Sequence, residues 1–259
     1  MLFVALAGCG FQHGIFAASA IDAGGDDGPV IDDAPVDGAP DGAAATAFCP
    51  QGDPHLRLCF SFDQATLAAT LPNEGGANVS AQLTNVTRIA NGTGGAAQLG
   101  ATSEIFVPYT TEVANIQAIE IWFRYDSEPT IDGGRMGLVD SNVVPPNISL
   151  FFYRQDPSHT LRCGIGSQTT VWNATLAPTT WFQLACVCEN GSQKMYVNGV
   201  KVGDTAGACS GGGAFVDPDG FTIGSNNNGG PTGVNDQLLG AIDGIRLWDV
   251  PVTPAAPTL

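Results

Sequence analysis

From residue 56 onward the sequence is a succession of short runs in which apolar and polar residues alternate, each closed by Gly, Pro, Asn or Asp, with helical periodicity nearly absent. In residues 118–126, Ile119, Ile121, Phe123 and Tyr125 fall on one side and Glu120, Trp122 and Arg124 on the other. That is the period-two pattern of a strand with one face in a core. Comparable runs occupy 56–63, 148–154, 160–165, 169–174, 181–188, 193–198, 220–225 and 238–250. Asn190-Gly191 and Asn198-Gly199 separate three consecutive runs. This dipeptide populates the positive-φ turns that match strand twist, so a three-strand meander is predicted there. Many short strands with such punctuation predict an all-β fold, a two-sheet antiparallel β-sandwich.

The stretch ahead of these runs has a different character. Between Phe16 and Phe48 there is no aromatic residue, and the composition is almost wholly Asp, Gly, Ala, Pro and small apolar residues. Such a segment cannot offset the ~1–2 kcal/mol of backbone entropy lost per ordered residue. Residues 10–47 are therefore expected to be a disordered linker, residues 48–254 one folded domain and 255–259 a tail. The chain has 25 acidic and 9 basic residues; seven acids, from Asp22 to Asp41, lie in the linker, which holds no base. The domain is acidic too and lacks a basic cluster for a phosphate backbone, which argues against a nucleic-acid partner.

Residues 2–8 form a short apolar run, far below the ~20 residues of a membrane span and of the length of a signal h-region. Leu6-Ala7-Gly8-Cys9 resembles the lipobox of bacterial lipoproteins, in which the cysteine carries the lipid. Residues 1–9 are read as a truncated signal segment, since no Lys or Arg precedes the apolar run. The expected location is outside the cytoplasm, lipid-anchored at Cys9 to the bacterial outer membrane or cell surface, with the acyl chains as the sole membrane contact.

Setting Cys9 aside leaves six cysteines, an even number that in an exported chain reads as three disulfides. Cys49 and Cys59 flank one short turn and form the favoured pair. Cys186 and Cys188 point to the same face of one strand and so must each find a partner elsewhere. Cys163 with Cys186, and Cys188 with Cys209, is the expected arrangement, although sequence alone does not choose among the connectivities. Zinc is the rival, but there is no Cys-x-x-Cys pair, and His13, His55 and His159 are scattered.

The opening LCFSFD, the strand IEIWFRYD, the block from Trp181 to Val202, the strand FTIGS and the closing LLGAIDGIRLWDVPVTPA together resemble the laminin-G-like jellyroll domains of the concanavalin A-like lectin and glucanase superfamily, over roughly residues 56–254. On this reading Trp181 and Met195 are core residues, Gly199 shapes a turn and Trp248 seals the sandwich. The resemblance also implies a structural Ca²⁺ held by Asp243 of the last strand, with Asp63 at the end of the first as its neighbour. That oxygen-rich set suits a hard cation. The loops 215–220 and 225–236 are also rich in oxygen but lack EF-hand spacing, and solvated loop is the preferred reading.

Glycosidases of the superfamily carry E-x-D-x-x-E on one strand, and that spacing is absent here. The nearest acids, Glu120 and Asp126, are expected on opposite faces of their strand, whereas retaining hydrolysis needs carboxyls ~5 Å apart. No G-x-S-x-G, H-E-x-x-H or P-loop occurs either. The expected function is a non-catalytic surface module for glycan or protein adhesion. A structural surface lipoprotein without a small ligand, and then a divergent hydrolase, are the alternatives. Trp122, Arg124, Tyr153, Trp172, Asn226 and Asn227 are the expected ligand contacts, because sugars stack on aromatic rings and bond to amide and guanidinium groups.

Overall fold

The computed structural model describes residues 48–92, 94–141, 147–166, 169–207, 209, 213–214, 220–226 and 236–255. In chain order the strands begin with β1 (Leu56–Phe60), β2 (Thr70–Pro72), β3 (Ser80–Thr84), β4 (Thr87–Asn91), β5 (Gly94–Leu99) and β6 (Glu104–Val107). They continue with β7 (Asn115–Ile116), β8 (Ala118–Tyr125), β9 (Arg135–Asp140), β10 (Asn147–Gln155), β11 (Ser158–Gly166) and β12 (Thr170–Ala174). The last are β13 (Phe182–Glu189), β14 (Ser192–Val197), β15 (Val200–Ala206), β16 (Gly213–Ala214), β17 (Phe221–Ile223) and β18 (Gly240–Trp248). Helical structure among the described residues is one 3-10 turn, Thr111–Val113.

Two antiparallel eight-stranded sheets face each other. The first runs β15-β14-β13-β8-β18-β5-β4, with β1 pairing to β18; the second runs β12-β11-β10-β9-β17-β6-β3-β2. The first and last long strands thus lie side by side, Cys59 opposite Arg246 and Phe60 opposite Ile245. The alternation on β8 holds in full: Ile119, Ile121, Phe123 and Tyr125 all enter the core between the sheets. Their partners include Leu150, Phe152 and Leu161 from the second sheet. Both Asn-Gly turns form as their chemistry requires, with φ of 52° and 75° at Asn190 and Gly191, and 50° and 74° at Asn198 and Gly199.

Three disulfides close the structure: Cys49–Cys59, Cys163–Cys186 and Cys188–Cys209. Cys163 lies on β11 and Cys186 on β13, so that bond joins the two sheets through the core. Closing a loop of this size is worth ~3 kcal/mol against the unfolded chain. Gln193, fully buried on β14, makes a second link, accepting from the Ile165 N–H (2.8 Å) and donating to the Cys163 carbonyl (2.6 Å).

Two expectations need correction. The run 56–63 was expected to be strand throughout, but β1 ends at Phe60, and Phe62 adopts a φ of 56° that buries it alongside Phe60. Trp181, expected in the core, lies ahead of β13 and is partly exposed, with the Arg124 guanidinium 5.3 Å from its ring centre.

Candidate functional site

On the first sheet, most residues of β8 and β13 that point away from the core are themselves covered. A small cluster of Cys49, Leu56, Cys59, Ala118, Ala185, Val187, Tyr196 and Trp248 packs there, flanked by Phe48, Val250 and Val252. Beside it Glu120, only 2% exposed, takes three donors on one oxygen: Arg246 Nη2 (2.7 Å), Gln183 Nε2 (2.8 Å) and Trp122 Nε1 (3.0 Å). Arg246 also donates to the Phe48 carbonyl and lies over the Phe48 ring.

Several of the expected ligand contacts are spent in this arrangement. Trp122 is 8% exposed with its N–H on Glu120, and Arg124 holds Asp126 through Nε (2.8 Å) and Nη2 (3.1 Å). Glu120 and Asp126 were expected on opposite faces. Even spacing instead keeps Asp126 on the side of Arg124, so the two acids share the outer side of the strand, each with its own arginine. Trp172 is corrected as well. It pairs with Leu161, a core residue, and packs against the core from the inner side of β12. Asn226 is buried, and Asn227 lies outside the described residues.

Tyr153 remains, and it stands among residues that sequence reading missed. The outward positions of β10 and β11 pair Phe151 with Arg162 and Tyr153 with Thr160; those of β9 pair Arg135 with Tyr153 and Gly137 with Phe151. The Arg135 guanidinium lies 4.8 Å over the Phe151 ring and donates from Nε to Asp236 (2.7 Å). Burial works against the Arg135 charge, but hydrogen bonds with Asp236 and Tyr153 outweigh it and raise its pKa. Gly137 makes this arrangement fit: a Cβ there would collide with the backbone of Ser225 and Asn226, which lies against it. Its N–H donates to the Asp236 carbonyl (2.7 Å). Two signals were present in the sequence, the outward alternation of Phe151 and Tyr153 and the glycine between Met136 and Leu138.

Arg135 and Asp236 also form one wall of a rim cleft of about 330 Å³, lined further by Glu128, Pro129, Ile131 and Gly134. Ile131 is 68% exposed, an apolar lip on a cleft that mixes apolar and charged side chains. Both acids of the cleft are engaged. Asp236 holds Arg135, while Glu128 accepts from His159 Nε2 (3.1 Å) and lies 3.5 Å from Arg154. His159 Nδ1 accepts the Leu176 N–H (3.1 Å), which fixes the proton on Nε2. Burial, and then the nearby Glu128 charge, push the Tyr125 hydroxyl up to about 12.

Asp63 and Asp243 do come together. Asp63 Oδ1 accepts the Gly95 N–H (2.9 Å), and a Cβ on Gly94 would fall on that oxygen. Burial raises the Asp243 pKa, opposed by a hydrogen bond from Asn91, and the Asp63 charge raises it further. Among the described residues neither carboxylate is in an ion pair, and no three His, Cys, Asp or Glu residues form a metal-binding set. Two adjacent carboxylates without a cation fit a hard ion, for which Asp63 and Asp243 would be ligands.

Two facing antiparallel sheets whose first and last long strands pair define a jellyroll sandwich. The laminin G model of the concanavalin A-like lectin/glucanases superfamily matches residues 91–256, and the chain belongs to that superfamily. No curated protein matches the sequence. Among solved structures, the fold is similar to the botulinum neurotoxin serotype D binding domain (TM-score 0.54, 11% identity, covering 76% of this chain and 48% of that one). It is also similar to Trypanosoma rangeli sialidase in complex with the inhibitor DANA (0.53, 13%, 75% and 30%). A third is the binding domain of Paraclostridial mosquitocidal protein 1 (0.51, 13%, 76% and 49%). The chain thus spans less than half the length of each of these, and the likeness is one of fold.

Proposed function

We propose that the protein is a non-catalytic binding module that holds a glycan on the outer face of β9–β12, next to the rim cleft. The observation that carries this reading is half-buried Tyr153 on β10, with buried Phe151 packed beside it and Arg135 fixed across them. An aromatic platform with a few oriented polar groups is what a saccharide requires. The non-catalytic reading is supported by the cleft acids, Glu128 and Asp236, each of which is already paired with a cation. Calcium bound by Asp63 and Asp243 is proposed as a brace of the fold. It would supply charge compensation for two adjacent carboxylates.

The segment ahead of residue 48 is proposed as an exported tether lipidated at Cys9. Three disulfides support it, because such bonds persist in oxidising compartments. The test is a glycan-array and polysaccharide pull-down screen of the full chain against Tyr153→Ala. Saturable binding that falls ~10-fold in the variant, with the unfolding temperature unchanged, is expected, since an aromatic contact of ~1.4 kcal/mol is one decade in affinity. Silence of the wild-type chain across the array would leave protein adhesion or a purely structural surface role.

A further inference from the structure

We infer that this binding face selects a saccharide bearing an oxyanion, carboxylate or sulfate, with Arg162 as the recognising group; the inference rests on the glycan-binding reading above. Arg162 stands on β11 directly opposite Phe151 of β10 and Val171 of β12. Its Nε is closed off from solvent and has no hydrogen-bond partner. Among the described residues no acceptor meets the rest of its guanidinium either. The end of the fork, Nη1 and Nη2, is therefore the part offered outward.

Every other basic side chain has an acceptor. Arg57 bonds Asp249, Arg88 the Gly94 carbonyl, Arg124 Asp126, Arg135 Asp236, Arg154 Asp156 and Arg246 Glu120; Lys194 reaches Glu189 and Lys201 reaches Asp204. In a chain with 25 acids to 9 bases, a cation left without one is an exception to the general pattern. A solvated lysine-like charge on a free stem would call for no explanation. Arg162 is different, because it is half-buried, with its cross-strand neighbours on both sides. No acid occupies the outward positions around it: β10 presents Ser149, Phe151 and Tyr153, β11 Thr160 and Gly164, and β12 Val171 and Asn173. Among the described residues, an incoming oxyanion meets no like charge at these positions. A planar guanidinium matches carboxylate or sulfate oxygens two at a time. The half-buried ring of Tyr153 on the next strand, backed by buried Phe151 6.1 Å away, places aromatic surface beside it for a sugar ring.

The test uses the full chain on an array carrying sialylated, uronate-bearing, sulfated and neutral glycans, with Arg162→Gln and Arg162→Lys as variants. Acidic members are expected to bind the wild-type chain, to lose ~10–100-fold in Arg162→Gln, and to recover in part in Arg162→Lys. Methyl esterification of a bound uronate should reproduce the loss with the protein unaltered, and the sulfated and carboxylated arms separate the two oxyanions. Acidic binding that survives Arg162→Gln and esterification, or binding confined to neutral glycans, overturns this inference and leaves the glycan reading standing. Silence on every member overturns both.

Discussion

On β8 and β13, the side chains directed away from the core include Ala118, Glu120, Trp122, Gln183, Ala185 and Val187, all buried, while Arg124 and Glu189 near the strand ends are partly exposed. On the opposite sheet, the outward positions of β10–β12 include the half-buried Tyr153 and Arg162, and Val171 at 57% exposure. Alternation built both faces, but residues remote in sequence decided which one meets solvent. Phe48 arrives at one end of the chain and Val250 and Val252 at the other, and both ends settle on the first sheet. The first face therefore has the chemistry of an interior at its centre, with a desolvated acid and its donors, whereas on the second Ser149, Phe151 and Thr160 are buried and Tyr153, Arg162 and Val171 meet solvent. A tryptophan is no better a marker of a binding surface than a tyrosine until the course of the chain ends is known.

The largest difference between the faces should appear in stability. Glu120→Ala leaves Arg246 buried without its carboxylate and is expected to cost about 3–5 kcal/mol, measured as a lower urea midpoint at unchanged m-value. Arg162→Gln, on the open face, should stay within about 0.5 kcal/mol. Equal costs for the two variants would erase the distinction. A smaller effect concerns the acid pair at Asp63 and Asp243. Calcium at a hundredfold excess over Kd should stabilise by ~2.7 kcal/mol, about 5–10 °C in Tm for a domain of this size. Chelation should reverse the gain and Asp243→Asn should abolish it; a Tm indifferent to both would remove calcium from the fold.

The smallest effect lies at Asp249, at the edge of the covered sheet. Burial alone would raise its carboxyl, but hydrogen bonds from Arg57 and His55 hold it below the ordinary carboxylate range. A depressed folded-state pKa gives stability that is complete above the unfolded value of ~3.9 and is lost as pH falls through the folded one. Asp249→Asn should therefore flatten the acid limb of the stability profile below about pH 4 and leave the neutral region with only the loss of the pair itself. An unaltered acid limb would mean that the contact contributes nothing to folding.

Where apolar alternation was strong, as on β8, β10, β11 and β13, the strands and their inward faces could be read directly from the sequence. Residues 70–107 were silent because β3, β4 and β5 read SAQLT, TRIAN and GGAAQL, runs of small and polar residues held by pairing with richer neighbours. The acid pair was legible because first and last strands are adjacent in such sandwiches. Of the proposed binding face, the sequence pointed to Tyr153 alone. Phe151, which is buried, and Arg162, which is half-buried, sit in strands that could be read, yet how far each is exposed depends on what packs over that sheet. Arg135 belongs to a strand whose central glycine conceals it.

The Cys49–Cys59 bond has a mechanical consequence. A pull delivered along residues 1–47 reaches Cys49 and passes covalently to Cys59 inside β1, bypassing the loop between them. Load then spreads into the β1–β18 ladder and from there across the sheet, and Pro50–His55 carries none of it. Reduction of this one bond would put that loop in series with residues 1–47, lengthening the reach by up to about 3.3–3.6 Å for each residue released before the sandwich itself bears tension.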